Sequence, residues 1–312
     1  MTVARTLSIA RVVTSAAVLA VAPALRLRAQ STDSYPARCG VAAIPADRGG
    51  YLPLPRGDVF CPLVADPKAT RSFVSYQRGN ETDLATDIAA VGIADQFPFF
   101  RAYARRPGNG LQLGLAGAVF AQFDLGSPSY DLLNADYIIG LPLTFRSGRF
   151  SGRLRLYHQS SHLGDEFLLR PNPPQRQNLS FESAEGLLSV DVVALRVYAG
   201  GEYFVGRDPP NLPEHLLHAG AELRPRGVLN FGSVAAVRVV AASDVKVVSD
   251  TTTRTGVSAR LGFEFARPRE SEVGSRRWSL LGEYYYGPSP YGQFQFRRQE
   301  VRLTGIGFHF TL

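Results

Sequence analysis

Two residues that could carry out acyl transfer, His158 and Ser160, stand two positions apart near the end of the segment FSGRLRLYHQS, residues 150–160. A histidine beside a serine hydroxyl can act as the general base that activates a nucleophile. Successive side chains of a β-strand point to opposite faces, so His158 and Ser160 share the face of Leu154 and Leu156, opposite the arginines. A base and a hydroxyl are out of place on the apolar face of a protein core. This combination indicates a face that contacts lipid.

The segment that carries these residues belongs to a series of about twelve alternating segments, each about ten residues long, as in transmembrane β-barrels. They begin near Arg71, Ile88, Gly110, Asn134, Phe150, Asn178, Ala194, Leu216, Gly232, Thr255, Arg277 and Arg298. No long stretch has the periodicity of an amphipathic helix. A soluble β-sandwich also alternates in this way, so periodicity alone does not separate the two folds.

The links between the segments and the end of the chain favour the barrel. Links after even-numbered segments are mostly short, whereas the longest link, residues 161–177, follows an odd-numbered one. Short periplasmic turns and longer outer loops are typical of outer-membrane barrels. The last segment alternates to its end, with Phe308, Phe310 and Leu312 on one face. We expect this apolar, aromatic segment to serve as the signal that the barrel assembly machinery binds. We therefore predict an all-β fold, a closed antiparallel transmembrane β-barrel of about twelve strands over residues 70–312, in the bacterial outer membrane.

The first 29 residues have the features of a secretory signal peptide. Two arginines precede an apolar run that is too short to span a membrane, and small residues follow it, with candidate cleavage sites after Ala24 and Ala29. The formal charge of the whole chain is +7, and removal of the four arginines of this segment leaves +3. So small an excess gives little support to nucleic acid as a partner, and outer-membrane lipid is the expected one.

The chain has two cysteines, Cys39 and Cys61, in a proline-rich stretch without periodicity. Because an exported protein meets an oxidising compartment, we predict that they form a disulfide. Residues 30–69 are then expected to be a periplasmic N-terminal segment closed by this bond.

Charged residues of both signs occupy the face that would point into the barrel. They are Arg153, Arg155, Arg196, Arg238, Arg260, Glu202, Glu264 and Glu283. In a barrel of this size, such side chains would pair and fill the interior. This pattern argues against a wide general porin and leaves a narrow solute channel open.

Most of residues 70–312 resembles a family of exported bacterial proteins classed as a domain of unknown function. The stretch AVFAQFDLGSPSYDLLNADYIIGLPLTFRSGRFSGRLRLYHQSSHLGDEFLLR and the later EYYYGPSPYGQF carry the likeness. The resemblance implies an outer-membrane setting and implies no activity.

A shorter likeness concerns the site itself. Residues 157–160, YHQS, are similar to the His-x-Ser-Asn-Gly motif of outer-membrane phospholipase A and to the His-x-Ser motif of lipid A deacylase. The resemblance implies that Ser160 is the nucleophile, that His158 is the base, and that a residue of the next strand orients the ring. Asn178 and Glu182 both lie on the lipid-facing side of the next strand by alternation. Either could orient the His158 ring, Asn178 as in the phospholipase or Glu182 as in the deacylase.

The sequence departs from the phospholipase motif after the serine. Ser161 and His162 replace the Asn and Gly, and the Gly amide contributes to the oxyanion hole in that family. Asp165 and Glu166 could hold a calcium ion nearby, because hard cations take carboxylate ligands; no other cofactor is expected.

Three classes of function follow from the sequence. The favoured one is a structural or binding barrel without chemistry. The alternatives are a lipid-acting serine hydrolase with its site on the outer barrel wall, and a narrow solute channel.

Overall fold

A computed structural model describes residues 49–80, 85–103, 109–171, 173, 175–225, 229–231, 235–249, 253–266, 277–295 and 299–310. The predicted signal peptide, residues 1–29, and Cys39 lie outside these residues, so both predictions remain untested. No helix in the described ranges is long and apolar enough to cross a membrane.

The described chain is built almost entirely of strands. These are β1 (Gly50–Pro53), β2 (Ser72–Asn80), β3 (Asp87–Tyr103), β4 (Gly110–Asp124), β5 (Leu132–Ser147), β6 (Phe150–Leu163), β7 (Leu179–Val192), β8 (Leu195–Asp208), β9 (His215–Leu223), β10 (Leu229–Phe231), β11 (Ala235–Ser249), β12 (Thr253–Ala266), β13 (Trp278–Pro288) and β14 (Glu300–Phe310). One short helix, α1 (Asp165–Leu168), follows β6, and a 3-10 turn (Gly292–Phe294) lies between β13 and β14.

Among the described strands, twelve close into an antiparallel barrel, which confirms the predicted fold. Each pairs with its neighbours along the chain, and the circle closes where β14 pairs with β2. The short strands β1 and β10 pair with β3 and β11 and do not belong to the circle. The predicted starts of the twelve segments fall within three residues of the observed strand starts.

Alternation along the strands separates an apolar exterior from a polar interior. On β6, the outward Leu154 and Leu156 are 60% and 64% exposed, whereas the inward Arg153 and Arg155 are buried. The same pattern holds on β7, where Leu188 is exposed and Glu185 is buried. Apolar side chains that face outward all round a closed barrel suit a lipid environment.

The two ends of the barrel differ. We call the end where β4, β6 and β8 finish the loop rim; it carries α1 and the long link between β6 and β7. The opposite end, which we call the turn rim, carries the tight turns after Ser147 and Val192. The longer links at the loop rim predict that this rim is extracellular.

Residues 58–70, which we call the lumenal segment, lie inside the barrel. Phe60, Leu63 and Ala65 are all fully buried. The amide of Val64 donates to Glu222 Oε1 at 2.8 Å, and Arg260 Nη1 donates to the carbonyl of Val64 at 2.6 Å. Residues 58–69 of the predicted periplasmic segment 30–69 thus lie in the lumen, where they supply backbone partners to inward charges, while residues 30–48 lie outside the described residues.

The link between β13 and β14 also folds into the lumen, from the loop rim. The amide of Gly292 donates to Asp136, and Tyr291 is buried. Lys68 of the lumenal segment donates to Gln295 of this link at 2.6 Å and pairs with Asp136 at 2.9 Å. The lumen is therefore filled by these two parts of the chain as well as by the predicted inward charges, and this filling disfavours the narrow solute channel.

Candidate functional site

His158 and Glu182 face each other across the ladder between β6 and β7. The register pairs His158 with Glu182 and Ser160 with Ser180. His158 Nδ1 lies 2.8 Å from Glu182 Oε1, and the two side chains are 41% and 58% exposed on the outer wall. Since a carboxylate only accepts hydrogen bonds at neutral pH, His158 donates through Nδ1 and leaves Nε2 as an acceptor.

Ser160 lies two positions along β6 from His158, and both side chains point outward. It is half-buried, between Tyr137 of β5 and Ser180 of β7 in the register. Side chains two apart on a strand lie on the same face about 7 Å apart at their Cα atoms, within reach of a hydrogen bond when rotamers allow. Among the described residues, the Ser160 hydroxyl makes no hydrogen bond, so the nucleophile and base are adjacent but not joined.

The wall beside Glu182 is shaped by an irregularity in the sheet. A β-bulge interrupts the pairing of β7 with β8 between Glu182 and Ser183, and Glu182 lies opposite Gly206. A Cβ atom added at Gly206 would stand 2.2 Å from Glu182 Oε2. Gly206 therefore leaves the space that the carboxylate occupies. A glycine inside a strand often marks such a close approach, and this signal was available in the sequence but was not used.

Asn178, the other predicted partner of His158, does not contact it. Asn178 Nδ2 donates to Asp208 Oδ2 at 2.5 Å on the exposed surface. The structure thus brings together His158 and Glu182 and pairs Asn178 with a different strand.

The backbone next to Ser160 offers little to an oxyanion. Gly164, which could have replaced the motif glycine, donates its amide to the carbonyl of Leu133 at 3.3 Å. Ser161 points inward, where it accepts a hydrogen bond from Gln159. Ser160 itself pairs with strands on both sides, and its amide is committed to those ladders. Any oxyanion donor from the described chain must therefore be a side chain.

Two ring-bearing side chains with polar groups, His162 and Tyr137, border the site on the side of the loop rim. His162 stands edge-on to Tyr137, with ring centroids 5.8 Å apart, and both are exposed on the outer wall. On the other side lie the exposed Leu154 and Leu156. The site therefore sits at a boundary between an apolar wall and a polar rim.

The predicted calcium ligands lie beyond this boundary. Asp165 and Glu166 occupy the first turn of α1 and are both exposed. No described contact joins them to His158 or Ser160, and the prediction of a calcium site remains untested.

The inner face of the same wall is polar and tightly paired. Tyr157 donates to Glu202, and Arg155 pairs with Glu185 at 2.7 Å. Alternation predicted the inward direction of most of these charges, but it did not predict the lumenal partners Asp66 and Lys68, because their segment shows no periodicity.

A closed barrel with an apolar exterior, a charged and filled lumen, and a polar site at one rim defines a β-barrel protein of the bacterial outer membrane. The chain belongs to the family described as "Protein of unknown function (DUF1207)", whose model matches residues 14–312. A search of curated proteins found no match.

Several solved outer-membrane proteins share the overall architecture. Outer membrane phospholipase A from Escherichia coli is 14% identical, with a TM-score of 0.49, over 77% of this chain and 90% of that one. The Salmonella typhi outer membrane phospholipase dimer with bound calcium is 13% identical, with a TM-score of 0.48, over 77% and 90%. OmpT of Vibrio cholerae is 8% identical, with a TM-score of 0.33, over 80% and 99%. At these levels of identity and TM-score, the likenesses carry no inference about activity.

Proposed function

We propose that the protein is a serine hydrolase that cleaves ester bonds of membrane lipids on the outer wall of its barrel. The observation that carries the proposal is the 2.8 Å contact between His158 Nδ1 and Glu182 Oε1, beside Ser160 on the same apolar face. A carboxylate that holds a histidine next to a serine is the arrangement that activates a hydroxyl in serine hydrolases.

The roles follow from the direction of the hydrogen bond. Ser160 Oγ attacks the ester carbonyl carbon, and its proton moves to Nε2 of His158. Glu182 stabilises the imidazolium that forms. Collapse of the tetrahedral intermediate breaks the ester bond, and His158 returns the proton to the departing alcohol. A water molecule, deprotonated by His158, then attacks the acyl-serine ester, releasing the fatty acid and regenerating the Ser160 hydroxyl.

The position of the site favours a glycerolipid or a comparable acylated lipid as the substrate. Leu154 and Leu156 would contact acyl chains, while Tyr137 and His162 would lie among headgroups. Ester bonds of membrane lipids lie at the boundary between these two layers. Ser160 stands at that boundary, so the lipid would not need to leave the membrane.

Stabilisation of the oxyanion would come from side chains. Ser180 lies directly opposite Ser160 in the register and is half-exposed on the same face. Its hydroxyl is the donor we propose, and loss of one such donor typically costs about 10²–10³ in rate. A calcium ion held by Asp165 and Glu166 would add positive charge near the headgroup.

The test is hydrolysis by the purified, refolded barrel in mixed micelles of detergent and phospholipid, with and without calcium. We expect wild type to release fatty acid and Ser160→Ala to release none, with unchanged heat-modifiable mobility on gels. Thr304→Ala, which removes an exposed hydroxyl from β14, is the matched control and should retain full activity. Equal release by wild type and Ser160→Ala, or no release by wild type with calcium, would contradict the proposal.

The second candidate is a structural or binding barrel without chemistry. It is favoured by the Ser160 hydroxyl, which makes no hydrogen bond with His158 in the described structure, and by the committed amides around it. The same assay separates the two candidates, because a structural barrel would show no serine-dependent hydrolysis.

A further inference from the structure

Three ligand-type side chains converge inside the lumen, behind the outer-wall site. Glu185 of β7, Glu202 of β8 and His218 of β9 each place one nitrogen or oxygen atom within 4.8 Å of the others. All three residues are buried, and His218 is only 1% exposed. Their strands are consecutive, so the sheet itself sets this convergence.

His218 has one nitrogen occupied and one without a partner. Its Nε2 lies 2.6 Å from Asp244 Oδ2, an oxygen that also accepts from the hydroxyl of Tyr198 at 2.6 Å. Its Nδ1 is buried and has no hydrogen-bond partner. Because Asp244 accepts from Nε2, the neutral ring carries a free lone pair on Nδ1. Histidines that bind metals usually donate one ring N–H to a carboxylate and coordinate the ion through the other nitrogen, as His218 is arranged to do.

The two glutamates keep coordination capacity despite their other contacts. Glu185 accepts three hydrogen bonds, two from Arg153 and one from Arg155, whereas a carboxylate offers about four acceptor positions. Glu202 Oε2 accepts hydrogen bonds from the hydroxyls of Tyr157 and Ser183, which leaves Oε1 available to coordinate a cation.

Without a bound group, this arrangement is costly. Two carboxylates and a lone pair are all acceptors, and a buried polar atom without a partner costs about 1–3 kcal/mol. A cation between the three atoms satisfies all of them at once.

A cavity borders the cluster at Glu202 and at Asp244, the partner of His218. It has a volume of about 80 Å³ and is lined by Glu202 and Asp244 together with Tyr157, Lys68 and Lys246. Several of its other walls, such as Pro288 and Ser289, belong to the end of β13 at the loop rim and to the link that follows it. An ion could therefore enter from that rim.

We propose that Glu185, Glu202 and His218 bind one divalent cation of the zinc class inside the barrel. His218 Nδ1 and one oxygen from each glutamate coordinate the ion, and a water molecule facing the cavity completes a tetrahedral set. Zinc–ligand distances of about 2.0–2.2 Å require the side chains to draw together by about 1 Å. A nitrogen ligand and only three protein atoms suit zinc better than calcium or magnesium, which prefer more oxygens. Because two arginines offset the charge of Glu185, we expect micromolar affinity.

The test uses the full mature chain without an affinity tag, refolded in detergent, treated with EDTA and dialysed. Titration with Co²⁺ should give visible absorption bands of a four- or five-coordinate ion that saturate at one equivalent, and Zn²⁺ should abolish them. We expect His218→Gln to weaken Co²⁺ binding at least about 100-fold. Asp244→Asn should weaken it about 10–100-fold, because Asp244 holds the ring of the ligand His218.

A second buried histidine provides the matched control. His309 also contacts a carboxylate through Nε2, Glu283 at 2.6 Å, but its Nδ1 is 3.1 Å from Arg71 and is therefore occupied. His309→Gln should bind Co²⁺ like wild type. Equal binding by His218→Gln and wild type, or no bands beyond those of hydrated Co²⁺ in wild type, would overturn the proposal. If His218→Gln fails to fold, Glu202→Gln takes its place, and binding of Co²⁺ by this variant equal to that of wild type would overturn the proposal.

Discussion

The His158 ring and the Glu182 carboxylate meet directly across one ladder of the barrel, with Nδ1 2.8 Å from Oε1. Through this contact, Glu182 on the neighbouring strand holds the His158 ring in place. The contact also selects the tautomer in which Nε2, at the outer end of the side chain, can accept a proton. Nothing in the lumen takes part in it, because both residues belong to the outward parity of their strands. The pair therefore depends on the register of β6 against β7 and on the space that Gly206 of β8 leaves for Glu182.

Removal of the Glu182 charge should impair hydrolysis more than it impairs folding. In Glu182→Gln, the carboxylate no longer stabilises the imidazolium, and we expect turnover to fall by about 10²–10⁴. Fatty-acid release from mixed micelles measures the effect. Asp95→Asn, which removes an exposed carboxylate from the outer wall on β3, is the control and should stay within about twofold. Unchanged turnover in Glu182→Gln would separate this residue from the reaction.

Gly206 should matter because of the space that it leaves to Glu182. In Gly206→Ala, the new methyl would stand 2.2 Å from Oε2, so the carboxylate must move and its contact with His158 weakens. We expect about a tenfold loss of turnover, with little change in stability, because a flexible side chain can yield. Gly186→Ala is the matched control on β7, since its nearest contact is an ordinary 3.5 Å to Leu154. Equal effects of the two substitutions would argue against this role.

Phe60 should anchor the lumenal segment. Its ring is fully buried, with the guanidinium carbons of Arg153 and Arg196 at 5.2 and 4.5 Å from its centroid. We expect Phe60→Ala to lower the free energy of unfolding by about 3–5 kcal/mol through loss of buried apolar area and the cavity left behind. Urea unfolding of the refolded barrel measures this value. Leu169→Ala, at an 85% exposed position, should change it by less than about 0.5 kcal/mol. A small effect at Phe60 would mean that the segment leaves the lumen easily.

The loops at the loop rim should respond to acid. The Ser129 hydroxyl and the Arg170 guanidinium lower the pKa of Asp131 below its ordinary 3.8, and Arg170 also pairs with Asp124 at 2.8 Å. A lowered pKa stabilises the folded loop above the ordinary value, and this stability is lost as pH falls through the lowered value. Pepsin cleavage near the buried Phe167 should thus be slow at about pH 4.5 and faster at about pH 2.5.

The control for this acid response is Arg170→Ala, which should be cleaved at both pH values. Rates are normalised to an unfolded peptide of the same sequence, which removes the pH dependence of the protease. A wild-type rate that does not change with pH would contradict the role of the ion pair.

The predicted Cys39–Cys61 bond would join the N-terminal stretch to the lumen. Cys61 is buried, and its carbonyl accepts from Arg196 at 3.0 Å, whereas Cys39 lies outside the described residues. Closure of a loop of this length is worth about 3 kcal/mol in the chain-entropy model. Alkylation of the unfolded, unreduced protein should label no thiol, and prior reduction should expose two. Two labelled thiols without reduction would rule the bond out.

Alternation predicted the strands and the outward direction of His158 and Ser160, and the lengths of the links together with the alternating last segment predicted the barrel. A strand repeats every two residues, so each residue's face follows from its near neighbours along the chain. The same local rule placed Glu202 and Arg260 inside. None of these assignments needs information about distant residues, and for that reason they could be made from the sequence.

Partner choice needed the tertiary structure. Asn178, which directly precedes β7, and Glu182 share one parity, and only the register and the bulge beside Gly206 decided that Glu182 meets His158. A shift of two residues in pairing keeps every face unchanged, so parity cannot detect it.

The lumenal segment shows the same limit more strongly. The amide of Val64 donates a hydrogen bond to Glu222, which is 158 positions away in the chain. No repeat within residues 58–70 predicts a partner at that distance. Alternation therefore determined the strands and the side of the wall on which the His–Ser pair lies. The register of β6 against β7 brought Glu182 to His158, and the closed tertiary structure filled the lumen and gathered the acceptors around His218, because the contacts in the lumen join segments that are distant in the chain.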